Sequence, residues 1–162
     1  MGFLEEGKKI EQEFARDFEA LGYIVRFADE KEDMEEHWDV MIMREGTWKV
    51  DVKDVKKINR SDTTPDQNYH WLEIKNVNGD LGWALSKKAD VICFATNDLW
   101  IPVGTWRLKE YISEKVEKEY CDTPKLYKLY SRKGRDDLLT IVPTLDLMYL
   151  AIKSSPRPIP RG

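Results

Sequence analysis

Apolar residues at Ile10, Phe14, Phe18 and Leu21 recur at spacings of three and four, which predicts a helix over residues 4–21 with a single apolar stripe. Gly22 follows as its natural stop. Residues 23–28, aromatic and β-branched, predict a first strand, and the acidic stretch from Asp29 to Glu36 reads as a loop. Residues 38–43 are apolar on both faces except at Asp39, the pattern of a central strand covered on both sides. Arg44-Glu45-Gly46-Thr47 reads as a hairpin turn leading into a partner strand from Trp48 to about Val55. A long polar loop is expected over 57–69, then a strand at 71–75, a turn at Asn78-Gly79-Asp80 and a short helix from Leu81 to Lys88. Val91 to Ala95 is a further buried strand, with Trp100 to Val103 beside it. Beyond it the pattern predicts a helix over 106–120, a hairpin from 126–131 and 138–142, and a last helix over 145–152. The tail from Ser154 to Gly162, with three prolines, is expected to be extended or disordered.

This order of elements predicts an α/β fold, a central mixed β-sheet flanked by helices. The expected organisation is a core over 1–104, an extension of helix and β-hairpin over 105–153 packed on the same domain, and a flexible tail over 154–162. With 162 residues, 41% of them hydrophobic, the chain has enough apolar material for one core without staples. The net charge of −4 argues against broad electrostatic attachment to nucleic acid, so such contacts must come from local basic clusters. Cys93, inside an apolar run, and Cys121 are too few for a disulfide scaffold. With no secretion signal and no apolar run near the ~20 residues of a membrane span, a cytoplasmic protein without membrane association is expected. His37 and His70 show no zinc spacing with the cysteines, and no Ser-His-Asp, Cys-His or Gly-rich phosphate motif is present.

Chemistry is concentrated at Val50-Asp51-Val52-Lys53. Strand alternation puts Asp51 and Lys53 on one face, about 6–7 Å apart along the strand. Alone, the pair reads most simply as a solvated strand face. Asp39 changes the balance, because it interrupts a strand apolar on both faces, and a lone buried carboxylate is costly unless paired or bound to a cation. The hairpin brings its strand beside the one carrying Asp51 and Lys53. Two carboxylates then suit a hard cation such as Mg2+ or Mn2+, which takes oxygen ligands and keeps several waters. Glu11, on the Phe14 and Phe18 side of the first helix, is a candidate third acid. Glu73 and Lys75 form a second carboxylate-x-lysine pair, either supporting the site or replacing the first pair. Lys56, Lys57 and Arg60, beside Tyr69, His70 and Trp71, form a basic segment suited to a phosphate backbone. Lys125, Lys128, Arg132, Lys133 and Arg135 make a second basic cluster around the last hairpin.

A helix bearing a Glu and ending in Gly-Tyr, then a strand, a strand with Asp and a strand with Asp-x-Lys resembles the PD-(D/E)XK nuclease superfamily, with its restriction-endonuclease-like αβββαβ core. Ala89-Asp90-Val91-Ile92-Cys93-Phe94 strengthens the likeness, as does the Glu11-to-Gly22 spacing, similar to that in Holliday-junction resolvases of the group. The likeness covers roughly residues 7–103. Trp38 stands where the name-giving motif has proline, and Asp51 replaces the commoner Glu. The resemblance implies a Mg2+- or Mn2+-dependent endonuclease, of resolvase or phage type, that hydrolyses DNA phosphodiesters without a covalent intermediate. Its implied catalytic residues are Asp39, Asp51, Lys53 and Glu11, with the metal on Asp39 and Asp51. DNA is the expected partner over RNA, branched DNA over plain duplex, and a homodimer is the expected assembly. The competing readings are a nucleic-acid-binding domain without catalysis and an RNA endonuclease.

Overall fold

The computed structural model describes residues 3–86, 88–132, 134–153 and 156–162; Lys87, Lys133, Ser154 and Ser155, on which parts of the expected helix, basic cluster and tail fall, lie outside them. Among the described residues the chain is α/β, with four helices and two β-sheets. Its elements are α1 (Phe3–Ala20), β1 (Ile24–Phe27), α2 (Glu30–Glu36), β2 (Val40–Met43), β3 (Thr47–Lys53), β4 (Tyr69–Lys75), β5 (Val91–Ala95) and β6 (Leu99–Gly104). They continue with α3 (Thr105–Lys115), β7 (Tyr120–Cys121), β8 (Leu129–Tyr130), β9 (Leu138–Pro143), α4 (Thr144–Ile152) and β10 (Ile159–Pro160).

The larger sheet has the order β1-β2-β3-β5-β6-β10 and is mixed: β3 and β5 run parallel, every other neighbouring pair antiparallel. The second sheet has the order β4-β9-β8-β7. Side-chain alternation divides the larger sheet into two faces. Val40, Ile42, Val50, Val52, Val91 and Cys93 meet Ile10, Phe14 and Phe18 of α1. Ile92, Phe94, Ile101 and Val103 face the other way, onto Leu72 of β4, Val142 of β9, and the inner sides of α3 and α4. The result is three layers: α1, the mixed sheet, and a composite layer of second sheet plus two helices. No helix of the described residues is long and apolar enough to cross a membrane.

α1 ends where the left-handed residue Gly22 (φ 94°) donates its N–H to the Glu19 carbonyl, and Tyr23 N–H returns to Phe18. Three expectations need correction. The acidic segment after β1 is a helix, not a loop: Asp29 accepts from the Glu32 N–H at 2.8 Å while the Glu32 carboxylate accepts from the Asp29 N–H, a reciprocal cap that favours acidic residues in the first turn. Among the described residues of 81–88 no helix forms; residues 83–85 make turns and 86 a bend, because the chain is held against β4 by the Gly82 N–H to Ile74 and the Ala84 N–H to Glu73. The tail is ordered at its end, where β10 pairs with β6 at the sheet edge.

Arg161 explains that docking. Its guanidinium donates to the Thr96 carbonyl at 2.9 Å and to Glu13 of α1 at 2.6 Å, and it lies 4.8 Å over the Trp100 ring. The Trp100 indole N–H in turn donates to Asp17 at 2.8 Å. Arg161→Ala is expected to lower stability by about 1–3 kcal/mol, the cost of stranding a charged hydrogen-bond network; urea denaturation checks this, and an unchanged midpoint would show that the tail contributes nothing.

Candidate acidic site at the end of the β2–β3 hairpin

Trp38 leads into β2 and has no exposed surface. It lies between two cations, Arg26 at 5.2 Å and Lys49 at 5.7 Å from its ring, and its indole N–H donates to Glu36. This anchor fixes where Asp39 enters the sheet. The paired register of β2 and β3 ends at Val40 opposite Val50. Beyond it the Asp39 N–H still donates to the Val50 carbonyl at 2.8 Å, but the Val52 N–H is taken by the Asp39 side chain, its Oδ2 accepting at 2.7 Å. The carboxylate thereby replaces a rung of the ladder.

Asp51 lies on the same face as Asp39, buried to 6% exposure. Lys53, one alternation further, puts Nζ 3.3 Å from Asp51 Oδ1 and 4.8 Å over the Trp83 ring. The two carboxyls line the same cleft, and each acts on the other's titration. Burial, then the Asp51 charge, raises the Asp39 pKa to about 8, against the Val52 N–H and Lys53, which lower it. Burial also raises Asp51, while the Lys53 charge opposes that rise. Without a cation the pair therefore holds one shared proton near neutral pH, as two carboxylates in contact must. The start of β5 is locked alongside: the Lys49 N–H donates to Asp90 Oδ2 at 2.8 Å and the Asp90 N–H to the Lys49 carbonyl at 2.9 Å.

The pair opens into a cleft of about 710 Å³. Asp33 and His37 enter it from α2 and its end, Glu73 from β4, and Asp80 and Trp83 from the turns after β4. Asp33 adds to the negative field at Asp51. The structure thus gathers Asp39, Asp51, Lys53 and Glu73. Glu11 does not line this cleft; it is half-buried on α1, which covers the opposite face of the sheet. Lys75 does not line it either, because a bulge between Glu73 and Lys75 breaks their alternation. Glu73 Oε1 instead accepts from the Trp83 N–H at 3.3 Å, fixing the wall over Lys53. His70 is buried between the layers, against Thr144 and the Ala95 carbonyl. Cys93 and Cys121 are both unbridged, and burial pushes the Cys93 thiol up.

Sequence reading missed Asp33, Asp80 and Trp83. The Asp29-x-x-Glu32 cap was the available signal for α2 and hence for Asp33; nothing local marks the other two. Among the described residues no group of three or more His, Cys, Asp or Glu side chains is arranged to hold a metal ion. Two carboxylates sharing a proton still suit a hard divalent cation, whose charge would replace that proton while waters or a ligand oxygen fill its remaining positions. Comparisons of the chain with family models, curated protein sequences and solved structures found no match.

Two outcomes follow from this geometry. A carboxyl whose folded pKa is raised stabilises the fold fully below its unfolded value, here 3.8, and loses that contribution as pH rises through about 8. In chelator, stability is expected to fall across that window, and Asp39→Asn to stabilise the protein by about 1–3 kcal/mol at the alkaline end but not at the acid end. Thermal melts at several pH values check this; equal pH slopes in both proteins would remove Asp39 as the source. Second, a Cβ at Gly82 would stand 2.2 Å from the Glu73 carbonyl oxygen. Gly82→Ala is expected to cost about 1–3 kcal/mol by overpacking and to disturb Trp83, visible as a lowered melting temperature with altered tryptophan emission.

Proposed function

We propose that the protein is a metal-dependent phosphodiesterase, an endonuclease acting on DNA, related to the PD-(D/E)XK nuclease superfamily. The observation that carries this reading is the Asp39–Asp51 pair lining one cleft, Asp51 buried and Asp39 half-buried, with Lys53 alongside. A fold gains nothing in stability from two adjacent buried carboxylates, whereas a cation site needs them. The β2–β3 hairpin, with Asp at the start of one strand and Asp-x-Lys at the end of the next, carries the resemblance in the same spatial order. Asp39 and Asp51 would hold Mg2+ or Mn2+, and the chemistry such an ion supplies is acidification of an attacking water and stabilisation of charge on the phosphate.

The chain's own groups divide the remaining work. Val52 N–H holds one oxygen of Asp39, so that carboxylate is oriented before any ligand arrives. Lys53 is held by Asp51 on one side and the Trp83 ring on the other, which leaves its other donor directions for the water or a phosphate oxygen. Glu73 acts on the site through Trp83, as a positioning residue. Asp33 and Asp80 keep the cleft negative, which favours cations and excludes bare phosphate.

Cleavage of DNA in Mg2+ or Mn2+, absent in chelator, is the expected result. Asp51→Asn and Lys53→Ala are each expected to lower the rate by about 10²–10³-fold or more with far-UV circular dichroism unchanged. Wild-type rates in both variants would sink the assignment. Cleavage of RNA with DNA intact would move the substrate but keep the site.

A further inference from the structure

A second cleft, of about 970 Å³, adjoins the acidic one and shares three of its lining residues, Lys53, Glu73 and Trp83. Its charge is opposite. The loop after β3 contributes Lys56, Lys57 and Arg60, and the turn between β8 and β9 contributes Arg132 and Arg135. The two basic clusters stand 72 positions apart in the chain at their nearest, Arg60 to Arg132; folding brings both to the rim of one groove. The floor between them is aromatic: Trp71 of β4 and Tyr130 of β8 lie with ring centroids 5.9 Å apart and planes tilted by 36°.

The groove is built, not incidental. The Trp71 indole N–H donates to the Lys57 carbonyl at 3.1 Å, tying the aromatic floor to the basic loop. Arg132 donates from Nε and Nη2 to Asp137, a carboxylate with no exposed surface, so the guanidinium plane is set from behind. Lys56 is an exposed residue that lines the cleft, where partial burial and then the Lys53 and Arg132 charges lower its pKa. Such crowding of like charge calls for an anion.

We propose that this groove binds an unpaired stretch of polynucleotide, with its backbone on the cations and a base against Trp71 and Tyr130, and delivers the adjoining phosphate past Lys53 toward Asp39 and Asp51. The delivery rests on the phosphodiesterase reading; the binding does not. Guanidinium and ammonium groups fit phosphates, and half-exposed aromatic rings fit bases that have left the stack, which a duplex keeps inside. At ~970 Å³ the groove is at the upper end of small-molecule sites, about 300–1,000 Å³, which suits a few nucleotides and not a duplex. An acidic peptide would satisfy the cations but leave the rings unused.

The test is fluorescence anisotropy in chelator with the full chain. The probes are labelled oligothymidylate and oligouridylate of about 12 nucleotides, within the span of known single-strand sites, and a blunt duplex of equal length, with poly-glutamate as competitor. Either single strand is expected to bind at least about 5-fold more tightly than the duplex, the worth of one stacked base. Lys57→Ala, Arg60→Ala and Arg135→Ala together are expected to reduce the salt slope by about 2, at roughly 0.7 per phosphate contact. Trp71→Leu is expected to weaken binding about 5-fold or more while leaving that slope unchanged. Asp51→Asn, which removes a charge facing the bound chain, is expected to bind no more weakly than wild type, so loss of cleavage with binding kept belongs to the acidic site alone. Equal or tighter binding of duplex, displacement by poly-glutamate at matched charge, or an unchanged salt slope in the triple variant would overturn the proposal. Should Trp71→Leu fail to fold, the triple variant and the duplex comparison still decide it.

Discussion

Two neighbouring carboxylates at the end of a hairpin, one buried and one half-buried, set a problem that the surrounding structure answers. Neither Asp39 nor Asp51 is at ease there: burial raises both, and the Asp51 charge raises Asp39 further. What keeps them together is the backbone. Once β2 and β3 are paired and Trp38 is buried between its two cations, the Asp39 carboxylate takes the Val52 N–H in place of a ladder bond. Separating the acids would strand that N–H in the interior, at a cost of about 1–3 kcal/mol. The hairpin and the site are therefore one construction, and Asp90 fastens the next strand to it through two hydrogen bonds to Lys49, one from its side chain and one from its N–H.

The same alternation that creates the site divides the labour of the sheet. Its α1 face is apolar throughout, and residues 40, 42, 50 and 52 supply only packing there. All polar function falls on the other face, so the composite layer must both close the core and leave an opening. It does so by stopping short: β4 is bulged after Glu73, the chain turns at Gly82 pressed onto the Glu73 carbonyl, and Trp83 comes to rest over Lys53. This is why Glu11, although on the inward side of its helix, is on the wrong side of the sheet from the cleft it was expected to join.

What the sequence allowed one to read was what depends on neighbours in the chain. The α1 stripe, the Glu45-Gly46 turn, the alternation of Asp51 and Lys53 and the uniformly apolar β5 are all local, and the structure has each of them. The acidic α2 was misread because a run of carboxylates looks solvated, whereas its stability comes from a reciprocal cap worth more than the run suggests. The missing helix at 81–88 was misread for the converse reason: its composition permits a helix, but hydrogen bonds to β4 from Gly82 and Ala84 hold it as turns. Of the second sheet, the strand at 71–75 and the β8–β9 hairpin were legible, but their joining was not. It pairs β4 with β9 across some seventy residues, and no periodicity within either strand specifies the other. The tail was read from its prolines as extended or disordered; its end is extended, and one arginine reaching Thr96 and Glu13 fastens it.

That long-range pairing also resolves the discord between a net charge of −4 and two basic clusters. Averaged over the chain the charges nearly cancel, and the average carries no information about partners. The β4–β9 and β8–β9 pairings gather the cations of the loop after β3 and of the last turn around one groove, while α2 and the turns after β4 send carboxylates into the neighbouring cleft. Lys53, Glu73 and Trp83 mark the border. An anionic chain drawn along the basic groove would meet rising negative charge there, so without a cation between Asp39 and Asp51 its approach is opposed. On the proposed reading, a cation held there would offset much of that charge. Ligand entry and cation binding would then be coupled by electrostatics, each favouring the other by the same free energy, with no movement of the backbone required.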